Sequence, residues 1–130
     1  MDQSAKFSFR NRIKSFSFAI NGLRKLIKSE HNARIHLVAM ILVITFGILL
    51  KIEILEWILI AIVVGLVLIT ELLNTAIEKL SDIVDPEWNT KIGDVKDYSA
   101  GAVLISVIIS LIVGGLIFVP RIVDLIKSIS

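Results

Sequence analysis

An all-α membrane protein, built from an N-terminal amphipathic surface helix and three transmembrane helices, is the fold class this sequence predicts. Three observations predict it. Of 130 residues, 55% are hydrophobic, and the mean hydropathy is +0.85, far more apolar than filling a soluble core of this size requires. The apolar residues gather into three runs, at 35–50, 57–70 and 99–119, separated by polar and charged segments. The net charge of +2 says little, but eight of the 14 Lys and Arg residues precede residue 35, and such an asymmetry orients a membrane protein.

The first element lies in "NRIKSFSFAINGLRKLIKSE" at 11–30, where Ile13, Phe16, Ile20, Leu23 and Ile27 recur at helical spacing among Arg12, Lys14, Arg24, Lys25 and Lys28. This pattern predicts an interfacial helix with its apolar face in the headgroup boundary and its cations near anionic lipid. It serves equally well as a plain anchor or as part of a functional surface. The first span, about 33–51, is slightly short of the roughly 20 residues that cross a bilayer and needs its flanks. The second would be short if it ended at Thr70, yet "LLNTAI" contains neither Gly nor Pro and continues the helix. A single helix over about 55–84 is therefore expected, roughly 45 Å long and projecting beyond the hydrocarbon. Asp85-Pro86 ends it. The third span, about 97–119, is long enough by itself and is expected to stop at Pro120-Arg121.

No internal repeat or low-complexity stretch divides the chain, so residues 1–130 are read as one domain. Cysteine is absent, which removes disulfide and thiolate chemistry. The basic start lacks the layout of a cleavable signal peptide, and Met1 onward is expected to remain. The short "KIEILE" connection carries one Lys against the basic N-terminal segment. The N-terminus is therefore expected in the cytoplasm, with the 85–97 loop on the same side.

Against this background "ITELLNTAIEKLSD" at 69–82 stands out, because Glu71 follows fourteen uncharged residues. At 100° per residue, Glu71, Glu78 and Asp82 fall within about 40° of one another, and Asn74 stands about 60° from Glu71 on the same side. An ionisable group at membrane depth costs several kcal/mol and faces a cavity, a partner or a cation. Asp82, nearest water, reads as well as a solvated acid. Oxygen ligands a turn or two apart suit a hard divalent cation such as Mg²⁺, which commonly brings phosphates with it. One helix supplies too few ligands, and Glu30, at the same depth before the first span, is placed to add another.

Nucleotide fingerprints of the G-x-x-x-x-G-K-[ST] and G-x-G-x-x-G kinds do not occur, so phosphate chemistry here needs another architecture. His31 reads as an interfacial polar residue and His36 as a helix residue facing a neighbour. Trp57 and Trp88 fit interfacial belts on opposite sides of the bilayer. In "GDVKDYSAGAVL" at 93–104, Lys96 and Asp97 stand at the mouth of the third span, with Lys96 either an ion-pair partner or a phosphate ligand. The following Ala102, Ser106, Ser110 and Gly114, at every fourth residue, indicate close helix packing.

"ELLNTAIE" at 71–78, followed by "KDYSAGAVL" at 96–104, resembles the small integral-membrane lipid kinases of bacteria, the prokaryotic diacylglycerol and undecaprenol kinase family. The likeness extends from "KSF" at 14–16 and "NGLR" at 21–24 through the third span. It implies a homotrimeric bundle in the bacterial inner membrane, with active sites shared between neighbours and ATP with Mg²⁺ as the phosphoryl donor. By motif, Glu71 would be the general base on the lipid hydroxyl, and Asn74 would support it or the substrate. Glu30 and Glu78 would hold the metal and ATP phosphates, while Lys96 and Asp97 would contact the nucleotide, as Glu87, Trp88 and Asn89 would by position. A family arginine falls on Asn11 in gapless alignment; Arg12 is assigned its role, with Arg10 the alternative.

Elementary chemistry agrees with this division of roles. Transfer to a lipid alcohol needs positioning, a cation to spread phosphate charge and a base for the hydroxyl proton. Glu71 is deeper than Glu78 on one helix face, so the first meets the acceptor and the second the nucleotide. The competing reading is a small oligomeric channel or ion-translocating subunit with an intramembrane carboxylate. The wording "ELLNTAIE" with "EW" at 56–57 is closer to the undecaprenol branch of the family.

Overall fold

The computed structural model describes residues 9–87 and 89–129, with side chains from Arg12 onward. Four helices follow one another: α1 (Phe9–Ser29), α2 (His31–Leu49), α3 (Ile54–Val84) and α4 (Thr90–Ile129). The last three are long and apolar enough to cross a membrane. Their large apolar side chains point outward, among them Ile41, Ile48, Ile62, Leu104, Leu111 and Leu116. A surface of this kind is solvated by lipid tails, not by water.

Helices α3 and α4 form the main packed pair, and polar groups knit the seam between them. Ser106, 1% exposed, shares a 2.9 Å hydrogen bond with Thr70, and the Ser110 hydroxyl donates to the Val63 carbonyl at 3.3 Å. These are two of the four small positions at every fourth residue of α4, where short side chains let the helices approach closely. At the far end Ile52, Ile60 and Ile117 form a small apolar core against Trp57, Val113 and Phe118.

The turn from α2 to α3 is tight for a reason visible in its hydrogen bonds. Ile52 N–H donates to Gly47 O at 3.1 Å and Lys51 N–H to Ile48 O at 3.2 Å. This six-to-one and five-to-two pair is a Schellman C-cap, with Lys51 rather than glycine at the left-handed position, φ 51°. Glu56 in the first turn of α3 accepts from the Glu53 N–H at 2.7 Å and pairs with Arg121 of α4 at 2.5 Å. Arg121 also reaches the Leu50 carbonyl at 3.5 Å.

That contact accounts for a departure from the sequence expectation. Helix α4 does not stop at Pro120 but passes through it to Ile129, and it begins at Thr90, well before the expected 97. Proline has a helical φ, but inside a helix it removes one backbone hydrogen bond and crowds the carbonyl four residues back; Arg121 offsets this by tying the following turn to α3. At the other end Asn89 accepts the Lys91 N–H at 2.9 Å, as an N-cap does, and moves the helix start upstream.

Candidate active site

Helix α3 carries the site because its stripe of polar residues turns inward. Glu71 is only 2% exposed, and Asn74, Thr75 and Ser81 are buried on the same helix. Asn74 donates from Nδ2 to Glu78 Oε1 at 3.2 Å and accepts the Ser99 hydroxyl of α4 at 2.6 Å. Ser99 bonds the Lys96 carbonyl as well, at 2.8 Å. One asparagine thereby fixes a carboxylate of its own helix and the start of the neighbouring one.

Glu71 is held differently. Its Oε2 is buried with no hydrogen-bond partner, and His36 Nε2 of α2 stands 3.9 Å away, beyond hydrogen-bond range. Such an oxygen costs about 1–3 kcal/mol, a cost that a proton-bearing ligand group would remove. A cleft of about 310 Å³ opens here, lined on its polar side by Asn32, His36, Glu71, Asn74 and Glu78 and on its apolar side by residues of α4, including Val103 and Val107.

Glu30 occupies the break between α1 and α2, in extended conformation at φ −102° and ψ 123°. Its Oε1 accepts the Ser29 hydroxyl at 2.8 Å and lies 3.4 Å from Lys79 Nζ. Arg34 closes the same junction by donating to the Ile27 and Lys28 carbonyls at 3.0 and 2.7 Å. The kink that ends α1 thus carries Glu30 to the α3 face.

The remaining expected residues gather elsewhere. Lys96 pairs with Asp82 at 2.5 Å, an ion pair whose acid is 65% exposed. Together with Asp85, Glu87 and Asn89 they line a second, polar hollow of about 190 Å³. Asn89 is tied to Asp85 at 3.1 Å, and Asp97 is exposed beside this hollow without lining it. Arg12 is exposed near the start of α1. Trp88 and the Arg10 side chain lie outside the described residues. Within one chain, then, Glu71, Asn74 and Glu78 share a cleft with Glu30 near them, and Glu87, Asn89 and Lys96 share another hollow.

Two polar contributors go beyond the sequence reading: Asn32, which it does not name, and His36, which it reads only as a helix residue facing a neighbour, as it does toward Glu71 of α3. Asn32 and His36 both line the Glu71 cleft. Their signal was present: polar residues four apart on an otherwise apolar helix share one face. Lys79, which approaches Glu30, carries no signal of its own in the sequence.

Sequence comparisons find relatives along most of the chain. The family model described as prokaryotic diacylglycerol kinase matches residues 17–118. An undecaprenol kinase of Bacillus subtilis is 37% identical over 108 residues, 83% of this chain and 88% of that protein. A diacylglycerol kinase of Synechocystis is 36% identical over 116 residues, 88% of this chain and 66% of that protein. A diacylglycerol kinase of Escherichia coli is 33% identical over 104 residues, 80% of this chain and 85% of that protein. With most of the surface helix, the second and third helices and the polar face of α3 inside the matched region, this chain belongs to the prokaryotic diacylglycerol kinase family.

Proposed function

We propose that this protein is a membrane lipid kinase that transfers the γ-phosphoryl group of ATP to the hydroxyl of diacylglycerol or undecaprenol, giving phosphatidic acid or undecaprenyl phosphate. Family membership supports the reaction class. The observation that carries the site is the buried, unpartnered carboxylate oxygen of Glu71 at the apolar end of a polar face that continues through Asn74 to Glu78. Relatives that act on each of the two lipids leave the acceptor as one of this pair.

In this reading Glu71 accepts the proton of the lipid hydroxyl, and Asn74 holds the face in register by bonding both Glu78 and Ser99. Lys96, with Asp97, Glu87, Trp88 and Asn89, meets the nucleotide, and Arg12 reaches the substrate or phosphate side. Glu30 and Glu78 are the carboxylates for Mg²⁺. Both are hard oxygen ligands of the kind this ion takes; because no third His, Cys, Asp or Glu joins them among the described residues, phosphates and water would complete its shell, and the ion would spread the charge of the transferring phosphoryl group.

The family resemblance is what supports a homotrimer with shared sites; the Glu71 cleft and the Lys96 hollow having no lining residue in common within one chain agrees with neighbouring subunits completing each site. The basic N-terminal segment supports a bacterial inner-membrane protein with its N-terminus in the cytoplasm, where ATP is. The test is incubation of the purified protein with γ-labelled ATP, Mg²⁺ and bilayers containing either lipid. Label recovered in phosphatidic acid or undecaprenyl phosphate is the expected result. Label in neither, with phosphate released only to water, would sink the proposal.

A further inference from the structure

His36 has no part in the roles given above, yet three observations converge on it. Its Nε2 lies 3.9 Å from Glu71 Oε2, the oxygen that is buried without a hydrogen-bond partner. Its side chain lines the polar cleft that contains Glu71, Asn74 and Glu78. It also lines an apolar cavity of about 150 Å³ bounded by Met40, Val43, Val67 and Leu68. The imidazole therefore stands where a polar cleft and an apolar cavity meet, inside the membrane-spanning part of the chain.

The spacing between the two groups is informative. At 3.9 Å they are too far apart for a hydrogen bond, but one oxygen atom about 2.8 Å from each would bridge them. A carboxylate only accepts, an imidazole protonated on Nε2 donates there, and a hydroxyl does both. An alcohol satisfies both ends, and its aliphatic part has the adjoining apolar cavity to occupy.

We propose that His36 and Glu71 clamp the acceptor hydroxyl between them: the Nε2–H of His36 donates to the hydroxyl oxygen, and the hydroxyl donates to Oε2 of Glu71. The proposal rests on the lipid-kinase reading and deepens it by adding the residue that fixes where the alcohol sits. In the transfer step the O–H bond breaks and its proton passes to Glu71. The alcohol oxygen forms a bond to the γ-phosphorus, and the bond from that phosphorus to the bridging oxygen breaks, its electron pair leaving on ADP. His36 keeps its proton throughout and holds the nucleophile by one lone pair while another faces phosphorus.

The test compares the full-length protein with His36→Leu, which removes the donor, and His36→Gln, which keeps one, in phosphatidylcholine nanodiscs supplied with whichever of the two lipids accepts phosphate. His36→Leu is expected to lower kcat about ten- to hundredfold, the scale of a misplaced reactant, with the KM for ATP unchanged within about twofold. His36→Gln is expected to recover most of the loss. A second readout needs neither variant nor turnover: with ¹⁵N-labelled histidine, the His36 Nε2 resonance of the wild-type protein should move when the lipid alcohol is added without ATP. Full kcat in His36→Leu, equal losses in both variants, or a resonance indifferent to the alcohol would overturn the clamp. If the wild-type protein phosphorylates neither lipid, the kinase reading falls and the clamp with it; active wild-type protein with an indifferent His36 overturns the clamp alone.

Discussion

Asn74 shows how one side chain can organise a polar site inside a membrane protein. Its amide nitrogen serves Glu78 and its carbonyl oxygen serves Ser99, so both ends of a short, buried network depend on it. Replacing it by alanine leaves Ser99 with the Lys96 carbonyl alone, takes an amide donor from Glu78 and removes two hydrogen bonds, each worth about 0.5–1.5 kcal/mol. Asn74→Ala should therefore unfold earlier in a detergent titration as well as lose activity, whereas Asn74→Asp restores an acceptor for Ser99 but sets a second negative charge beside Glu78. Unchanged stability in Asn74→Ala would show that the network carries no weight. Glu30 offers a prediction of another kind, since Lys79 sits 3.4 Å from it. That pair is exposed on the lysine side and contributes little to stability. Lys79→Ala is expected to leave the unfolding midpoint within about 0.5 kcal/mol of wild type, and a larger loss would mean that the lysine anchors α1 to α3.

Among the helices, the features legible in the sequence were those written in periodicity and composition. The amphipathic surface segment, the three apolar runs and the inward stripe of Glu71, Asn74 and Glu78 each follow from spacing along one chain. What escaped was set by contacts between elements. Nothing local to Pro120 announces that Arg121 will hold the next turn against Glu56 and Leu50, so the helix was expected to end there. Likewise Asn32 and His36 become site residues only because α2 lays them beside α3. The α2–α3 turn makes two checks possible. A Cβ added to Gly47 would come within 2.7 Å of the Trp57 ring, so Gly47→Ala should cost about 1–3 kcal/mol as the ring is forced aside. Lys51, left-handed at φ 51°, pays a penalty that glycine does not. Lys51→Gly is therefore expected to be at least as stable as wild type, by as much as about 1 kcal/mol. Thermal unfolding in a single detergent measures both, and a destabilised Lys51→Gly or an unaffected Gly47→Ala would contradict the turn geometry.

At the scale of the whole molecule, a helix of 31 residues is about 46 Å long and exceeds the hydrocarbon thickness of about 30 Å. In the proposed reading the surplus would carry Glu78 and its neighbours out of the apolar layer and leave Glu71 at its margin, so that depth along α3 would let one helix address a lipid and a nucleotide together. The absence of cysteine makes the proposed orientation simple to test: Lys51→Cys should react with an impermeant maleimide from outside intact cells, and Lys91→Cys only after the membrane is opened. The reverse pattern would place the site away from ATP. The most direct measurement of the central claim is the initial rate of γ-phosphoryl transfer to the accepted lipid by wild-type and Glu71→Gln protein, each shown to be folded. Loss of a general base predicts a fall of about 10²–10⁴-fold in kcat, with the lipid and nucleotide still bound. A Glu71→Gln protein that turns over at the wild-type rate would contradict the account.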